Sequence, residues 1–376
     1  MKIGVDIRVL MDKHYSGISE YTANLLTAIL RQDKENCYKL FYNSYHYLDD
    51  RFKFWNGDRA RVIGRHWPNK IFNYLLQKFF CYPKLDQVLG GVDLFWSPHF
   101  NFTCLSGSES GLKKVVTVHD LSFLRYPEFF SARKNFWHRA LGVKKTLRVA
   151  ERIIAVSANT KNDIIELAGV APEKISVIYS GNNAVKREAD AKPRSERFIL
   201  YLGNIEPRKN INGLIAAYDQ LRAEGENIKL ILAGAPGWKN KKIYAARDGS
   251  RYKNDIIFLG YISQKDKEDL LRKATIFVYP SYYEGFGFPP LEAMASGVPV
   301  VCSNVSSLPE VVADAALMIN PFKDEEIKDA LKIILTDEKL RARLIAKGYE
   351  RAKLFSWDKT AAQYLQLFKE VYEEKK

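Results

Sequence analysis

Short apolar runs alternate with amphipathic stretches along most of the chain. Residues 2–9 form the first apolar run and predict a buried strand, and the helical spacing of apolar residues over 21–30 predicts a helix after it. Further strand-like runs, at 92–96, 114–118 and 152–156, each end at a polar residue. Because strands separated by helices form parallel sheets, we expect a sheet covered by helices on both faces.

A polar stretch divides the chain into two such halves. Residues 183–197 contain Pro193 and lack apolar periodicity, which is typical of an interdomain linker. Five more strands and a closing helix are predicted after it, at 198–202, 229–232, 256–259, 274–279, 298–302 and 358–373. The pattern therefore predicts an α/β protein with two Rossmann-like domains, 1–182 and 198–357, facing across a cleft where ligands bind beyond the strand ends.

The composition fits two globular domains rather than a disordered or membrane-spanning chain. The 376 residues are 47% hydrophobic and 27% charged, and no apolar run approaches the ~20 residues of a spanning helix. The N-terminus reaches Asp6 too early for the apolar centre of a signal peptide, so we expect a cytoplasmic protein. The four cysteines contain no Cys-x-x-Cys pair, which predicts buried free thiols and neither a zinc nor a redox site.

The net charge of +14 is concentrated in one stretch. Residues 51–150 contain 17 Lys and Arg against 6 Asp and Glu, interleaved with aromatic residues. These aromatic residues are Trp55, Trp67, Phe72, Tyr74, Phe79, Phe80, Tyr82, Phe129, Phe130 and Trp137. The mixture favours an anionic membrane surface, with a solvated basic face as the alternative. A nucleic-acid surface is not expected, because no helix-turn-helix, RNA-recognition or zinc-finger pattern accompanies the charge.

The segment 281–297 is the richest candidate site. A predicted strand ends before it, and a loop with two glycines leads into a helix that starts with two prolines. Glycines let backbone N–H groups approach a ligand, and the helix start favours a phosphate. One carboxylate of the segment can hold a sugar hydroxyl and the other a ribose, whereas the alternative is an ordinary glycine–proline loop with solvated glutamates. The candidate binding residues here are Glu284, Gly285, Phe286, Gly287, Phe288 and Glu292.

Three other segments carry candidate chemistry. Arg208 and Lys209 lie shortly after Gly203, at a strand end where a diphosphate would be neutralised. His119 also follows a strand and is a candidate donor to a reacting sugar or phosphate. Gly17 opens a helix and can allow a ligand to approach. The structural alternatives are a solvated basic pair, a helix cap and a plain turn.

Several other site types are not signalled. The sequence contains no Gly-x-x-x-x-Gly-Lys-Ser/Thr phosphate loop and no Gly-x-Gly-x-x-Gly after the first strand, which disfavours ATPases and dehydrogenases. No Asp-x-Asp pair is present, so we do not expect a metal to hold a nucleotide diphosphate.

Together these segments resemble the retaining GT-B glycosyltransferases of family 4 over nearly the whole chain. The stretch from Glu284 to Glu292 looks like the family's Glu-x7-Glu motif, and 206–210 looks like its phosphate-binding basic pair. Other matching segments are Gly17 to Tyr21, His119, 156–161, 307–316 and 355–357. The resemblance implies a terminal helix, 358–376, that crosses back to the N-terminal domain.

The resemblance also implies the reaction and the role of each residue. A sugar would move from a nucleotide diphosphate donor with retention of configuration, without a metal or other cofactor. Glu284 would contact the donor sugar and Glu292 the nucleotide ribose. Arg208 and Lys209 would stabilise the leaving diphosphate, and His119 would contact the sugar near the reacting centre. No protein nucleophile is implied.

The choice of donor and acceptor follows from a closer likeness to one group within the family. Glu-Pro-Arg-Lys-Asn with Phe-Gly-Phe-Pro-Pro is similar to bacterial mannosyl- and rhamnosyltransferases of surface polysaccharide synthesis. GDP-mannose is therefore the expected donor, and a glycan or polyprenyl-linked molecule at the cytoplasmic face of the inner membrane is the expected acceptor. Glu20 stands where many relatives carry arginine, and Asn204 where some do, so the details of acceptor and donor binding stay open. A UDP-sugar is the alternative donor. A GT-B epimerase and a non-catalytic protein that binds nucleotide sugars stay open as well.

Overall fold

The chain forms two compact units in the computed structural model, which describes residues 1–11, 17–45, 55–77, 81–182 and 197–374. The first unit combines Met1–Leu121, Arg133–Gly181 and Ser356–Lys376, and the second combines Ser122–Ala132 and Asn182–Phe355. The expected boundaries therefore need one correction, because Ser122–Ala132 belongs to the second unit although it lies within 1–182. Residues 183–196 of the expected linker lie outside the described residues.

A parallel sheet of seven strands forms the centre of the first unit. Its strands are β1 Lys2–Asp6, β2 Cys37–Asn43, β3 Ala60–Arg65, β4 Leu94–Ser97, β5 Lys113–Val118, β6 Arg152–Ala155 and β7 Ile175–Val177. They lie in the order β3-β2-β1-β4-β5-β6-β7, with Ile3 of β1 opposite both Tyr38 and Leu94. The helices are α1 Gly17–Gln32, α2 Asn69–Gln77, α3 Leu85–Val88, α5 Ala132–Ala140, α6 Val143–Val149, α7 Ala158–Ala168 and α15 Trp357–Glu373.

A parallel sheet of six strands forms the centre of the second unit. Its strands are β8 Phe198–Leu202, β9 Lys229–Ala233, β10 Ile256–Gly260, β11 Ile276–Tyr279, β12 Val300–Ser303 and β13 Leu317–Ile319, in the order β10-β9-β8-β11-β12-β13. The helices are α4 Ser122–Arg125, α8 Ile211–Ala223, α9 Lys241–Gly249, α10 Gln264–Lys273, α11 Phe288–Ala295, α12 Leu308–Val312, α13 Asp324–Thr336 and α14 Glu338–Lys353. Both sheets confirm the predicted α/β class with two Rossmann-like domains.

The strand order locates the ligand-binding edge of each sheet. In both units the chain reverses the direction in which it adds strands, between β1 and β4 in the first and between β8 and β11 in the second. Crevices outside the carboxyl ends of the strands at such a point bind ligands in open α/β sheets. The segments that follow these four strands are therefore where a site is expected.

The terminal helix α15 belongs to the first unit, as expected from the family resemblance. Its apolar face places Tyr364 and Phe368 against Trp96, with ring centroids 5.2 Å and 5.7 Å apart. The buried hydroxyl of Tyr364 lies 2.5 Å from that of Tyr21 and 2.8 Å from Oγ1 of Thr117. Buried hydroxyls that satisfy one another fix the helix register as well as its depth.

Two expectations are wrong. The first strand ends at Asp6 rather than residue 9, because Oδ1 of Asp6 accepts from the backbone N–H of Arg8 and the chain turns into a 3₁₀ helix over Arg8–Met11. The cysteines are not four buried thiols, since Cys81 and Cys104 form a disulfide and Cys37 is exposed. Cys302 is a buried free thiol, and burial raises its pKa to about 12.

Candidate active site

The predicted donor site lies where β8 and β11 end side by side. The loop after β8 leads into a 3₁₀ helix, Pro207–Lys209, and the loop after β11 leads into α11. Tyr282 donates its backbone N–H to the carbonyl of Arg208 at 2.9 Å, which joins the two loops. Neighbouring parallel strands thus bring together segments that are more than 70 residues apart in sequence.

A buried ion cluster connects three of the predicted residues. Lys209 Nζ donates to Glu284 Oε1 at 2.5 Å and to the hydroxyl of Tyr279 at 2.7 Å. Arg208 Nη1 donates to the backbone carbonyl of Tyr283 at 2.7 Å and contacts Glu284 Oε2 at 3.3 Å. The other side of the Arg208 guanidinium pairs with Glu206. The sequence predicts that these two cations contact a diphosphate. It did not predict that both of them pair with carboxylates of the protein.

The cluster fixes the charge of Glu284. Burial alone would raise the pKa of its carboxyl, but the neighbouring charges of Lys209 and Arg208 outweigh burial and lower the pKa to about 2. Burial lowers the pKa of Lys209, and the charge of Arg208 lowers it further, while the two glutamates act in the opposite direction. Burial also raises the pKa of Tyr279 well above its ordinary value, so this hydroxyl stays protonated. The site therefore holds an ionised carboxylate between two cations.

Two serines hold the backbone of the loop 280–287 between β11 and α11, which we call the Glu284 loop. Ser306 Oγ accepts the backbone N–H of Glu284 at 2.9 Å, and Ser307 Oγ donates to the carbonyls of Glu284 and Phe286 at 3.0 Å and 2.8 Å. Gly287 ends the loop at a φ of +113°, where a Cβ would lie 2.7 Å from Leu308. These contacts and the left-handed glycine restrict the backbone of the loop.

Glu292 lies apart from this cluster, on α11. Its Oε1 accepts from Lys267 Nζ of α10 at 2.7 Å, and both side chains are largely buried. Lys267 was not a candidate in the sequence, because α10 is otherwise a strongly polar helix with no motif. Across the described ranges, no group of three His, Cys, Asp or Glu side chains is arranged to hold a metal ion.

Aromatic side chains from Ser122–Ala132 cover the Glu284 loop. Phe129 stacks on Tyr282 with centroids 5.6 Å apart, and Tyr126 packs on Tyr283 at 5.7 Å. Trp238 Nε1 donates to the carbonyl of Phe129 at 2.6 Å. This segment was missed as part of the site, because its partners lie more than 100 residues away in the sequence.

His119 and Gly17 belong to the first unit. His119 follows β5, and its ring lies edge-on to that of Tyr21 with centroids 4.6 Å apart. His119 Nε2 is 2.8 Å from the carbonyl of Pro98, which can only accept a hydrogen bond, so Nε2 carries the hydrogen. Burial lowers the pKa of His119 to about 4, so the ring is neutral at pH 7 and its Nδ1 is an acceptor. The role of His119 as a donor to a sugar or phosphate stays a prediction.

We expect the His119 ring to show no titration between pH 5.5 and 8. Its pKa is depressed in the folded chain, so the neutral form prevails throughout this range, and protonation near pH 4 would favour unfolding. Histidine-labelled NMR of the protein measures the titration, and His119→Gln identifies the signal. A ring that titrates between pH 6 and 7 would contradict the assigned tautomer and its burial.

The predicted glycines differ in what their backbone requires. Gly203, which follows β8, has a φ of +150°, and its carbonyl lies where a Cβ on Gly234, which follows β9, would be. The two neighbouring loops therefore need glycine at these positions. Gly17 begins α1 with open space where a Cβ would be. For Gly17 the backbone does not require glycine.

The basic stretch does not form one aromatic face. Trp55, Phe72 and Phe130 are buried in the core, and Phe79 and Phe80 lie outside the described residues. Trp67, Tyr74 and Tyr82 are exposed, and α5 carries two further exposed rings, Phe136 at 75% and Trp137 at 44%. None of the helices described here is both long and apolar enough to cross a membrane.

Known families match both halves of the chain. The family described as "Glycosyltransferase Family 4" matches residues 16–184, and "Glycosyl transferases group 1" matches residues 182–351. O-antigen chain mannosyltransferase B of Escherichia coli is 36% identical over 269 residues, which cover 68% of this chain and 70% of that protein. The serotype-specific mannosyltransferase WbdA of Escherichia coli is 32% identical over 263 residues, 66% of this chain but only 32% of that protein.

Solved structures match the fold over the whole chain. The sucrose-phosphate synthase of Thermosynechococcus elongatus superimposes with a TM-score of 0.79 at 21% identity, covering 100% of both chains. WaaG, a glycosyltransferase involved in lipopolysaccharide biosynthesis, superimposes with a TM-score of 0.69 at 15% identity, covering 98% of this chain and 99% of that one. The family match and the curated relatives indicate the same family, and the two Rossmann-like units have the fold of the solved structures. The chain belongs to the group 1 glycosyltransferases of the GT-B fold.

Proposed function

We propose that this glycosyltransferase moves mannose from GDP-mannose to a glycan or polyprenyl-linked acceptor in surface polysaccharide synthesis, with retention of configuration and without a metal. The observation that carries the proposal is the buried cluster of Arg208, Lys209 and Glu284 at the point where β8 and β11 diverge. The mannosyltransferase names of its relatives support the sugar, and their O-antigen names support the pathway class.

The proposed chemistry assigns the charge of the leaving group to this cluster. As the bond between the sugar and the diphosphate breaks, the N–H donors of Arg208 and Lys209 and the positive end of the α11 dipole stabilise the developing charge. The glycosidic bond forms on the same face of the sugar, and a phosphate oxygen of the leaving GDP takes the acceptor's proton. Glu284 holds the sugar, and Glu292 holds the ribose of the nucleotide.

The helix α5 is the candidate contact with the membrane that carries the acceptor. This helix has no buried residue, and its exposed Phe136 and Trp137 lie among the exposed cations Arg133, Lys134 and Arg139. Apolar rings among basic side chains suit an anionic membrane surface. We propose that α5 contacts the cytoplasmic face of the inner membrane, where a lipid-linked acceptor would be presented.

Nucleotide selectivity tests the donor. We expect GDP to raise the unfolding temperature by several degrees, since a ligand at 100 times its Kd stabilises by about 2.7 kcal/mol. UDP, ADP and dTDP should have smaller effects, and EDTA should leave the GDP effect unchanged. Differential scanning fluorimetry with each nucleotide, with Mg²⁺ or EDTA, measures this.

Each outcome separates one part of the proposal. A shift with UDP instead would keep a transferase and overturn GDP-mannose, whereas loss of the shift in EDTA would overturn metal independence. No shift with any nucleotide would favour a protein that does not bind nucleotide sugars. Retention is tested separately, by NMR of the anomeric configuration in the product formed from GDP-mannose.

A further inference from the structure

Glu206 is the second carboxylate of the buried cluster and has no assigned role. It lies between β8 and the 3₁₀ helix Pro207–Lys209, and only 1% of its surface is exposed. Its Oε1 accepts from Arg208 Nε at 3.1 Å and from Arg208 Nη2 at 3.0 Å. Its Oε2 has no hydrogen-bond partner within the described part of the chain. A buried carboxylate oxygen without a partner is costly, so it is expected where function requires it.

The loop after β9 keeps this side chain in place. Gly237 donates its backbone N–H to the carbonyl of Ile205 at 3.0 Å. A Cβ on Gly237 would lie 2.9 Å from that carbonyl oxygen and 3.0 Å from Cβ of Glu206. The carboxylate is therefore held against Arg208 by backbone on its other side.

The charges of the cluster cancel before any nucleotide binds. Two cations, Arg208 and Lys209, face two carboxylates, Glu206 and Glu284. The negative charge of Glu206 also affects residues other than Arg208, because it acts to raise the pKa values of Lys209 and Tyr201. A diphosphate consequently enters a site with donors but no net charge. Without Glu206 the same site would carry an unbalanced positive charge.

We propose that Glu206 is a positioning residue that also weakens the binding of the nucleoside diphosphate product. It orients the guanidinium of Arg208 and offsets its charge, so that the leaving diphosphate is stabilised during transfer but still dissociates afterwards. Uniformly tight binding of a product slows turnover when release limits the rate. This inference rests on the proposed function, in which Arg208 and Lys209 contact the diphosphate.

The substitution Glu206→Gln tests the charge with little change in shape. Glutamine keeps an oxygen that accepts from Arg208 and removes only the negative charge. We expect GDP to bind roughly tenfold more tightly to E206Q by isothermal titration calorimetry in EDTA, because Coulomb attraction in a buried site is strong. We also expect kcat to fall more than kcat/KM, since product release becomes slower. E206D retains the charge and should not tighten GDP binding.

The control is Glu224→Gln, which removes the same charge elsewhere in the unit. Glu224 pairs with Lys328 and Lys332 at the far end of α8, a helix of 13 residues and so about 20 Å long. E224Q should bind GDP as the unchanged protein does. Unchanged or weaker GDP binding by E206Q would overturn the inference, and so would failure of E206Q to fold. If GDP, UDP, ADP and dTDP bind neither the unchanged protein nor E206Q, the proposed function itself fails.

Discussion

Glu284→Gln is expected to lower the free energy of unfolding by about 3 kcal/mol and transfer activity by at least about 100-fold. The stability loss follows because Lys209 and Arg208 stay buried with one carboxylate fewer, and breaking a buried pair costs about 3–5 kcal/mol. The activity loss follows because the proposed sugar contact and the orientation of both cations depend on this side chain. Urea unfolding and initial rates well below the unfolding temperature measure the two effects separately.

The pH dependence identifies the cause of the stability loss. The pKa of Glu284 is about 2 in the folded chain against an ordinary 4.5, so its contribution is complete above about pH 4.5 and is lost as the pH falls toward 2. The difference in stability between the unchanged protein and E284Q should therefore shrink over this range. A difference that does not change with pH would assign the loss to packing instead of charge.

A double variant separates stability from chemistry. In E284Q/K209M one cation leaves together with the carboxylate, and replacing a whole buried ion pair is often nearly neutral for stability. We expect this variant to recover stability relative to E284Q and to remain inactive. Recovery of activity would contradict the proposed roles of both residues. The control is E224Q, whose ion pairs lie outside the site, and it should keep full activity.

The sequence predicted those parts of the fold that depend on local pattern. The run Phe198–Leu202 is wholly buried and was located to the residue, because a strand covered on both faces is apolar throughout. The strands β2, β3, β7 and β13 were not identified. β7 and β13 have only three residues each, and β3 keeps only Ala60 buried, so hydrophobicity gives little signal.

The candidate site was predictable in outline and not in its pairings. Parallel strands end at a common edge, and this alone brought Arg208, Lys209 and Glu284 to one place. Which cation pairs with which carboxylate depends on the paths of two loops that meet through the backbone of Tyr282. The stacking of Phe129 on that residue depends in turn on contacts between distant segments, for which a single sequence contains no local signal.

Phe136→Ser/Trp137→Ser on α5 is expected to weaken binding to anionic vesicles on the order of 100-fold. Burying each large apolar side chain contributes about 1.5–3 kcal/mol, and α5 has no buried residue. Phe136 is 75% exposed, and Trp137 contacts Phe102 with only part of its ring surface. Flotation with vesicles of phosphatidylglycerol and phosphatidylethanolamine measures the bound fraction, and neutral vesicles should bind the unchanged protein much less because the basic side chains then have no partner.

The matched control removes two exposed apolar side chains from the second unit. Ile333 on α13 and Leu354 after α14 are 44% and 55% exposed, so Ile333→Ser/Leu354→Ser also removes two exposed apolar side chains and leaves α5 unchanged. We expect the control to bind vesicles as the unchanged protein does, and both variants to keep transfer activity toward a water-soluble acceptor. Because a surface contact presents only the lipid-linked acceptor, the α5 variant should lose activity toward that acceptor alone. Equal vesicle binding by the two variants, or binding that does not depend on anionic lipid, would contradict the proposed contact between α5 and the membrane.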